Sequence, residues 1–217
     1  MTERFDVGLD LGVLPAGMVE TALAEYERVE TDASALTVYR DDPLGFARDW
    51  WGLAEFDWDN PDREGVLVPA QVRILKALIA HRRIVVPSGH STGKTWLIGF
   101  IILWWTFCRR GVVVTTASTW NQIESVMWVA VHRLHAKAEL PLPAVLNNTE
   151  LKLSPELFAI GLSTNDATAF QGHHHPDLLV IIDEATGVDP KIHDAAGSLA
   201  TGSKNVIVKF SQPNTTT

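Results

Sequence analysis

Residues 83–95 read RIVVPSGHSTGKT, and this stretch decides the fold. Its first five residues form a β-branched run with the continuous apolarity of a strand covered on both faces. The next eight, SGHSTGKT, fit the phosphate-loop pattern G-x-x-x-x-G-K-[ST] at Gly93, Lys94 and Thr95, with Ser88 in the first position and Gly89 one place late. Such a loop works by turning backbone N–H groups inward onto a phosphate and opening into a helix whose N-terminal dipole favours the anion. An apolar segment, residues 96–108, follows at once, so the motif lies between a strand and a helix, the context that gives it meaning. The nucleotide-binding candidates are therefore Ser88, Gly89, His90, Ser91, Thr92, Gly93, Lys94 and Thr95. Lys94 is suited to bridging β- and γ-phosphates and Thr95 to holding Mg²⁺ through its hydroxyl.

Outward from this stretch, short apolar runs recur at residues 112–116, 178–182 and 206–210, and helical patterns at 95–107 and 120–138 lie between them. Alternation of this kind means crossover connections in a mainly parallel sheet flanked by helices, so the expected class is α/β. Before the first strand the pattern is helical. Residues 17–30 carry a modest apolar stripe, Asp42 and Pro43 supply an N-cap and an N1 proline, and residues 69–81 bury Val72, Leu75, Leu78 and Ile79 on one face. Residues 58–63, WDNPDR, read as a turn-rich linker. The expected organisation is an N-terminal helical region over 1–64 and an ATPase core over 65–217.

The second chemical element is LLVIIDE at 178–184. A buried strand ending in Asp183 delivers its carboxylate to the C-terminal edge of the sheet, where open α/β sheets bind ligands. Asp183 suits Mg²⁺, directly or through water, and Glu184 suits orienting or deprotonating an attacking water. Phosphate loop and acidic strand together define a P-loop NTPase of the ASCE type, the class with a catalytic glutamate, using ATP and Mg²⁺.

Composition narrows the alternatives. With 46% hydrophobic and 20% charged residues the chain is an ordinary globular protein, and its one cysteine, Cys108, excludes an intrachain disulfide framework and a Cys-based zinc cluster. Residues 96–108 are too short for a bilayer, which needs about 18 to 20 apolar residues, and read as a buried helix. The acidic start MTERFDVGLD lacks the pattern of a secretory signal. A net charge of −8 argues against a protein that coats nucleic acid with its whole surface but leaves a local basic strip open.

The set PAQ at 69–71, SGHSTGKT at 88–95, TTASTWNQ at 115–122, FQGHHHPDLLVIIDEATGV at 170–188 and FSQPN at 210–214 resembles the ATPase domain of tailed-phage terminase large subunits. The resemblance runs from about Asp42 to the end of the chain. It implies a motor that drives double-stranded DNA into a procapsid, with portal protein and small terminase subunit as partners. It further implies a homo-oligomeric ring, no membrane, and a place in the host cytoplasm, transiently at the portal vertex. It gives Gln71 an adenine contact, Gln212 and Asn214 a coupling role beside the γ-phosphate, and the edge formed by Ala117, Ser118, Thr119 and Gln122 a part in sensing nucleotide or DNA. The family continues into a nuclease domain of ribonuclease-H type, so no nuclease activity is expected of this chain.

Two features depart from the family or stay open. Many terminases carry Arg or Lys inside the phosphate loop where this loop offers His90, which leaves the arginine finger unassigned; Arg109 and Arg110 read as a helix end that complements the dipole. His173, His174 and His175 alternate direction on an extended segment, so at most two share a side and they do not read as a metal set. The tryptophans, Trp104 and Trp105 above all, read as core. Two other readings stand beside the motor: a helicase-like P-loop ATPase, and a nucleotide-gated assembly module with little turnover of its own.

Overall fold

The computed structural model describes residues 35–56, 64–89, 92–163, 170 and 172–211. The expected helix at 17–30, the linker at 58–63, and His90, Ser91, Gln212 and Asn214 lie outside the described residues.

After a 3₁₀ turn at Leu36–Tyr39, helix α1 (Pro43–Trp51) opens as the sequence predicts: Asp42 accepts a hydrogen bond from Gly45 N–H and Pro43 occupies the first turn. The two-residue strands β1 (Ala54–Glu55) and β2 (Val66–Leu67) pair in parallel, and α2 (Pro69–Ala80) follows. Val72, Leu75 and Leu78 are buried as expected, whereas Ile79 is exposed.

Next come β3 (Arg83–Pro87), α3 (Lys94–Phe107), β4 (Val112–Thr116), a π-wound turn over Gln122–Met127 and α4 (Trp128–Ala136). The 139–161 region, which carries no clear pattern in the sequence, supplies β5 (Val145–Asn147), β6 (Glu150–Lys152) and β7 (Phe158–Gly161). Then follow β8 (Leu178–Ile182), α5 (Pro190–Leu199) and β9 (Val206–Ser211).

The main sheet has the order β3-β9-β8-β4-β7-β6-β5. β3, β9, β8, β4 and β7 run parallel, while β6 and β5 form an antiparallel hairpin at the far edge. The fold is thus the expected α/β class with a mainly parallel sheet, with one strand, β9, between β3 and the strand that ends next to Asp183.

Strand residues divide by parity. Val113, Leu179, Ile181, Val208 and Phe210 face the layer built from α1, α2, α3 and α4, and Val112, Val114, Leu178, Val180, Ile182 and Ile207 face Ile192, Ala196 and Leu199 of α5. β4 and β8 are buried along their whole length, the two-sided cover that their unbroken apolarity calls for. β3 departs from that expectation. It is an edge strand among the described residues, pairing only with β9, and Val85 is 67% exposed.

Helix α3 lies in the middle of the larger layer. From Leu97 to Phe107 every residue is buried, Gly99 lets Leu134 and the backbone of Ala130 approach, and Trp104 and Trp105 make an edge-to-face pair. α1 closes over this helix with an aromatic group in which Phe46 contacts Trp50, Trp51 and Phe100. Trp51 donates to Leu134 O and Trp104 to Tyr39 O, so these indoles bury their rings and still satisfy their N–H groups.

At the end of α3 the Arg109 guanidinium lies over Trp104 and Trp105, 4.5 Å from the latter's ring centre. It pairs with Asp41 at 2.8 Å, and Asp177, which bonds Arg40 at 2.8 Å, approaches it at 3.9 Å. Burial pulls the Arg109 pKa down, and Asp41 and Asp177 act against that shift. Arg109 is thus the clasp that joins the segment before α1 to the start of β8, rather than a simple dipole-complementing end.

Breaking such a group by removing one partner leaves a buried charge uncompensated. Asp177→Ala is expected to lower unfolding free energy by about 3 kcal/mol in urea titration. Cys108 is fully buried and burial pushes its thiol pKa well up, so a thiol reagent should label it only after denaturation.

Candidate functional site

The sheet geometry brings three sequence-distant segments together. β3 ends at Pro87 and the chain turns through Ser88 and Gly89, with Ser88 N–H bonded to Ser211 O at the end of β9. Thr92 Oγ1 donates to Gly89 O within the loop. Gly93 closes the turn in the left-handed region at φ 73°, and α3 starts at the next residue. This is a position whose backbone calls for glycine. A side chain would be strained by the dihedral, and its Cβ would come within 2.9 Å of Gln71 Nε2.

Lys94, on the first turn of α3, extends to Asp183 at the end of β8, Nζ to Oδ1 2.9 Å. The pair is well covered, with side-chain exposures of 13% and 2%. Asp183 Oδ2 accepts from Gln122 Nε2 at 3.2 Å, and its backbone N–H is held by Thr116 O. The carboxylate is therefore fixed by a cation and an amide from two different helical segments. Thr95 stands half-buried on the same turn of α3 as Lys94.

Glu184 follows in the left-handed region at φ 49°, one of two non-glycine residues with positive φ among those described. Non-glycine residues in this conformation persist where the surroundings over-determine them, and they concentrate at functional sites. Here the dihedral turns the chain out of β8, and Glu184 Oε2 accepts from Ser118 Oγ at 2.6 Å. Gly187 allows the close approach, since a Cβ there would sit 3.1 Å from Ser118 Cβ.

The loop that supplies Ser118 runs on into the π-wound turn whose first residue, Gln122, holds Asp183. A regular helix over 120–138 is expected from the sequence. The wider turn sits where Ile123 and Trp128 crowd Gly161 at the end of β7, and Trp128 Nε1 donates to Thr115 Oγ1. π-turns of this kind recur at functional sites.

Thus Lys94, Asp183 and Glu184 converge at the C-terminal edge of the sheet, joined to Ser118 and Gln122. Only the placement of Ser118 and Gln122 on the β4 edge is legible in sequence; their partners are not. Gln71 is also close, buried to 9% exposure, with Oε1 accepting Val68 N–H. Arg109 is 9% exposed and committed to its acidic and aromatic neighbours on α3's far end. Of the histidines, His175 Nδ1 accepts from Asp177 N–H and His173 packs edge-on against Phe158. Among the described residues no three His, Cys, Asp or Glu side chains come together as a metal set. No helix among them is long and apolar enough to cross a membrane.

The donor set suits a nucleotide with Mg²⁺. One buried carboxylate and one hydroxyl, with phosphate oxygens and water completing the shell, is how Mg²⁺ is usually held. Ser88 Oγ, at the loop's first position, is buried without a hydrogen-bond partner, a polar atom left open beside the anion-binding turn.

No family model and no curated protein matches the chain. Solved structures similar to it include the ATPase domain of the large terminase of Thermus phage P74-26. For that domain identity is 16%, with 68% of this chain and 65% of that chain covered and a TM-score of 0.46. For an arginine-to-alanine mutant of the same domain identity is again 16%, with 70% and 67% covered and a TM-score of 0.49. The chain spans about two thirds of the length of those domains. Identities and scores at this level carry no residue role from one protein to the other.

Gly93→Ala is expected to cost about 1–3 kcal/mol of stability from the left-handed dihedral, read by thermal unfolding. The same substitution should weaken triphosphate binding, because relief of the left-handed dihedral would turn the N–H groups that follow Gly93.

Proposed function

We propose that this chain is a Mg²⁺-dependent ATPase and the motor domain of a DNA-packaging terminase. The observation that carries the chemistry is the convergence of Lys94, Asp183 and Glu184 at the C-terminal edge of the sheet. Lys94 is placed to follow the charge of the β- and γ-phosphates once its bond to Asp183 is exchanged for the nucleotide. Thr95 and Asp183 would hold Mg²⁺, which when bound neutralises phosphate charge. Glu184, released from Ser118, orients the attacking water and takes its proton as the water oxygen bonds to the γ-phosphorus and the bond to the bridging oxygen breaks.

The wider reading rests on the ordered motifs. It includes double-stranded DNA as the translocated polymer, portal protein and small terminase subunit as partners, a homo-oligomeric ring, and the procapsid portal vertex in the host cytoplasm as the place of action. Gln212 and Asn214 are the proposed coupling residues past β9. Nuclease activity is not part of the proposal.

A second reading is favoured by a specific observation. Glu184 is held by Ser118, Lys94 by Asp183, and Arg109 is committed within its own chain. These contacts support a module that binds nucleotide as a monomer and turns it over only when a neighbouring subunit completes the site.

Lys94→Ala should weaken Mg·ATP binding and remove turnover, while Glu184→Gln should keep binding and lose at least about a hundredfold in hydrolysis, measured with and without double-stranded DNA. Full turnover by Glu184→Gln would remove its catalytic role. Wild-type binding without turnover until the chain assembles would favour the second reading.

A further inference from the structure

We infer that Gln122 is a positioning residue for the Asp183 carboxylate: its amide fixes which carboxylate oxygen faces the phosphate loop, and so sets how far Mg²⁺ tightens nucleotide binding. The inference deepens the Mg·ATP reading above and rests on it.

The two oxygens of Asp183 have separate partners. Oδ1 takes Lys94 Nζ at 2.9 Å and the N–H of Glu184 at 2.9 Å. Oδ2 accepts from Gln122 Nε2 at 3.2 Å. Once Lys94 exchanges Asp183 for phosphate, Gln122 is the side-chain donor that stays on the carboxylate. Turning the carboxylate about its Cβ–Cγ bond would break that hydrogen bond. Oδ1 therefore remains directed at the first turn of α3, which carries Thr95 as well as Lys94.

A carboxamide suits this task because it is neutral. A cation at Oδ2 would compensate the carboxylate and compete with Mg²⁺, whereas an amide N–H orients the oxygen and leaves its charge to the metal. Carboxylates that hold metals are themselves hydrogen-bonded, and loss of such a partner costs about 10–100-fold in metal affinity or activity.

The backbone holds Gln122 in place for this contact. Its N–H donates to Thr119 Oγ1 at 3.2 Å, and it is the first residue of the π-wound turn Gln122–Met127. A π-turn closes i→i+5 bonds and so changes the angle between the side chains on either side of it. In this winding Ile123 and Met127 are buried in the core while Gln122 reaches Asp183.

Binding of ATP to the wild-type chain, Gln122→Met and Gln122→Ala is measured by calorimetry in EDTA and across a Mg²⁺ titration, with thermal unfolding of each protein alongside. Gln122→Met is the informative variant, since it keeps the length of the side chain, removes the donor and introduces no charge.

The expected result is that Gln122→Met unfolds near the wild-type temperature and binds ATP in EDTA within about threefold of wild type. The tightening that Mg²⁺ produces should be smaller by about tenfold or more, and Gln122→Ala should show the same loss. Wild-type tightening by Mg²⁺ in Gln122→Met would overturn the inference. An equal loss of ATP affinity in EDTA and in Mg²⁺ would overturn it too, by making Gln122 a support of the loop rather than of the carboxylate. The reading beneath it fails differently: a folded wild-type chain that binds no ATP, or that gains nothing from Mg²⁺, would overturn the Mg·ATP reading and the inference with it.

Discussion

Helix α3 has to be covered on every side, and most of the architecture follows from that constraint. From Leu97 to Phe107 it presents no polar face to water. At roughly 25 cal/mol per Å² of apolar surface, leaving any side of such a helix wet would be costly on the scale of a domain's net stability. The sheet covers one side. α4 covers a second, with Gly99 permitting the close approach of Leu134, and the aromatic residues of α1 close a third. The N-terminus of the same helix is the phosphate loop, so the packing that buries α3 also fixes where an anion can sit.

The site at that end is held by electrostatics within a preformed frame. Lys94 reaches across β9 to Asp183, and the carboxylate is further held by Gln122. Each group of the pair carries the same sign of charge as the ligand atoms that the other is suited to bind, so each occupies the place of the other's ligand. The pair therefore keeps two buried charges compensated in this conformation, as burial of charge demands. Glu184 is held separately by Ser118, so the group suited to water and the groups suited to phosphate sit on different tethers. Both tethers come from the β4 edge and the turn after it, a single loop.

At the opposite end of α3, Arg109, Asp41, Arg40 and Asp177 fasten the segment before α1 to the start of β8. Two indole faces supply the floor on which the guanidinium rests. The core described here is continuous with Leu36, Phe46 and Ala47, so the early helical region shares its apolar interior with the layer around α3.

The sequence by itself determined the α/β class, the phosphate loop between β3 and α3, the acidic end of β8, and the helices at 43 and 69. These are local signals: an N-cap with proline at N1, unbroken apolar runs, glycine where the backbone must turn. It did not reveal the β5–β6–β7 edge, because short half-exposed strands with mixed composition leave no period to read. It misjudged β3 as covered on both sides, since apolarity does not say whether a strand has a neighbour. Tertiary structure alone decided that Ser118 meets Glu184, that Gln122 and Lys94 share Asp183, and that Arg109 is an internal clasp. Each of these contacts joins atoms whose meeting depends on strand order and helix packing, and those are properties of the whole chain's burial rather than of any segment in it.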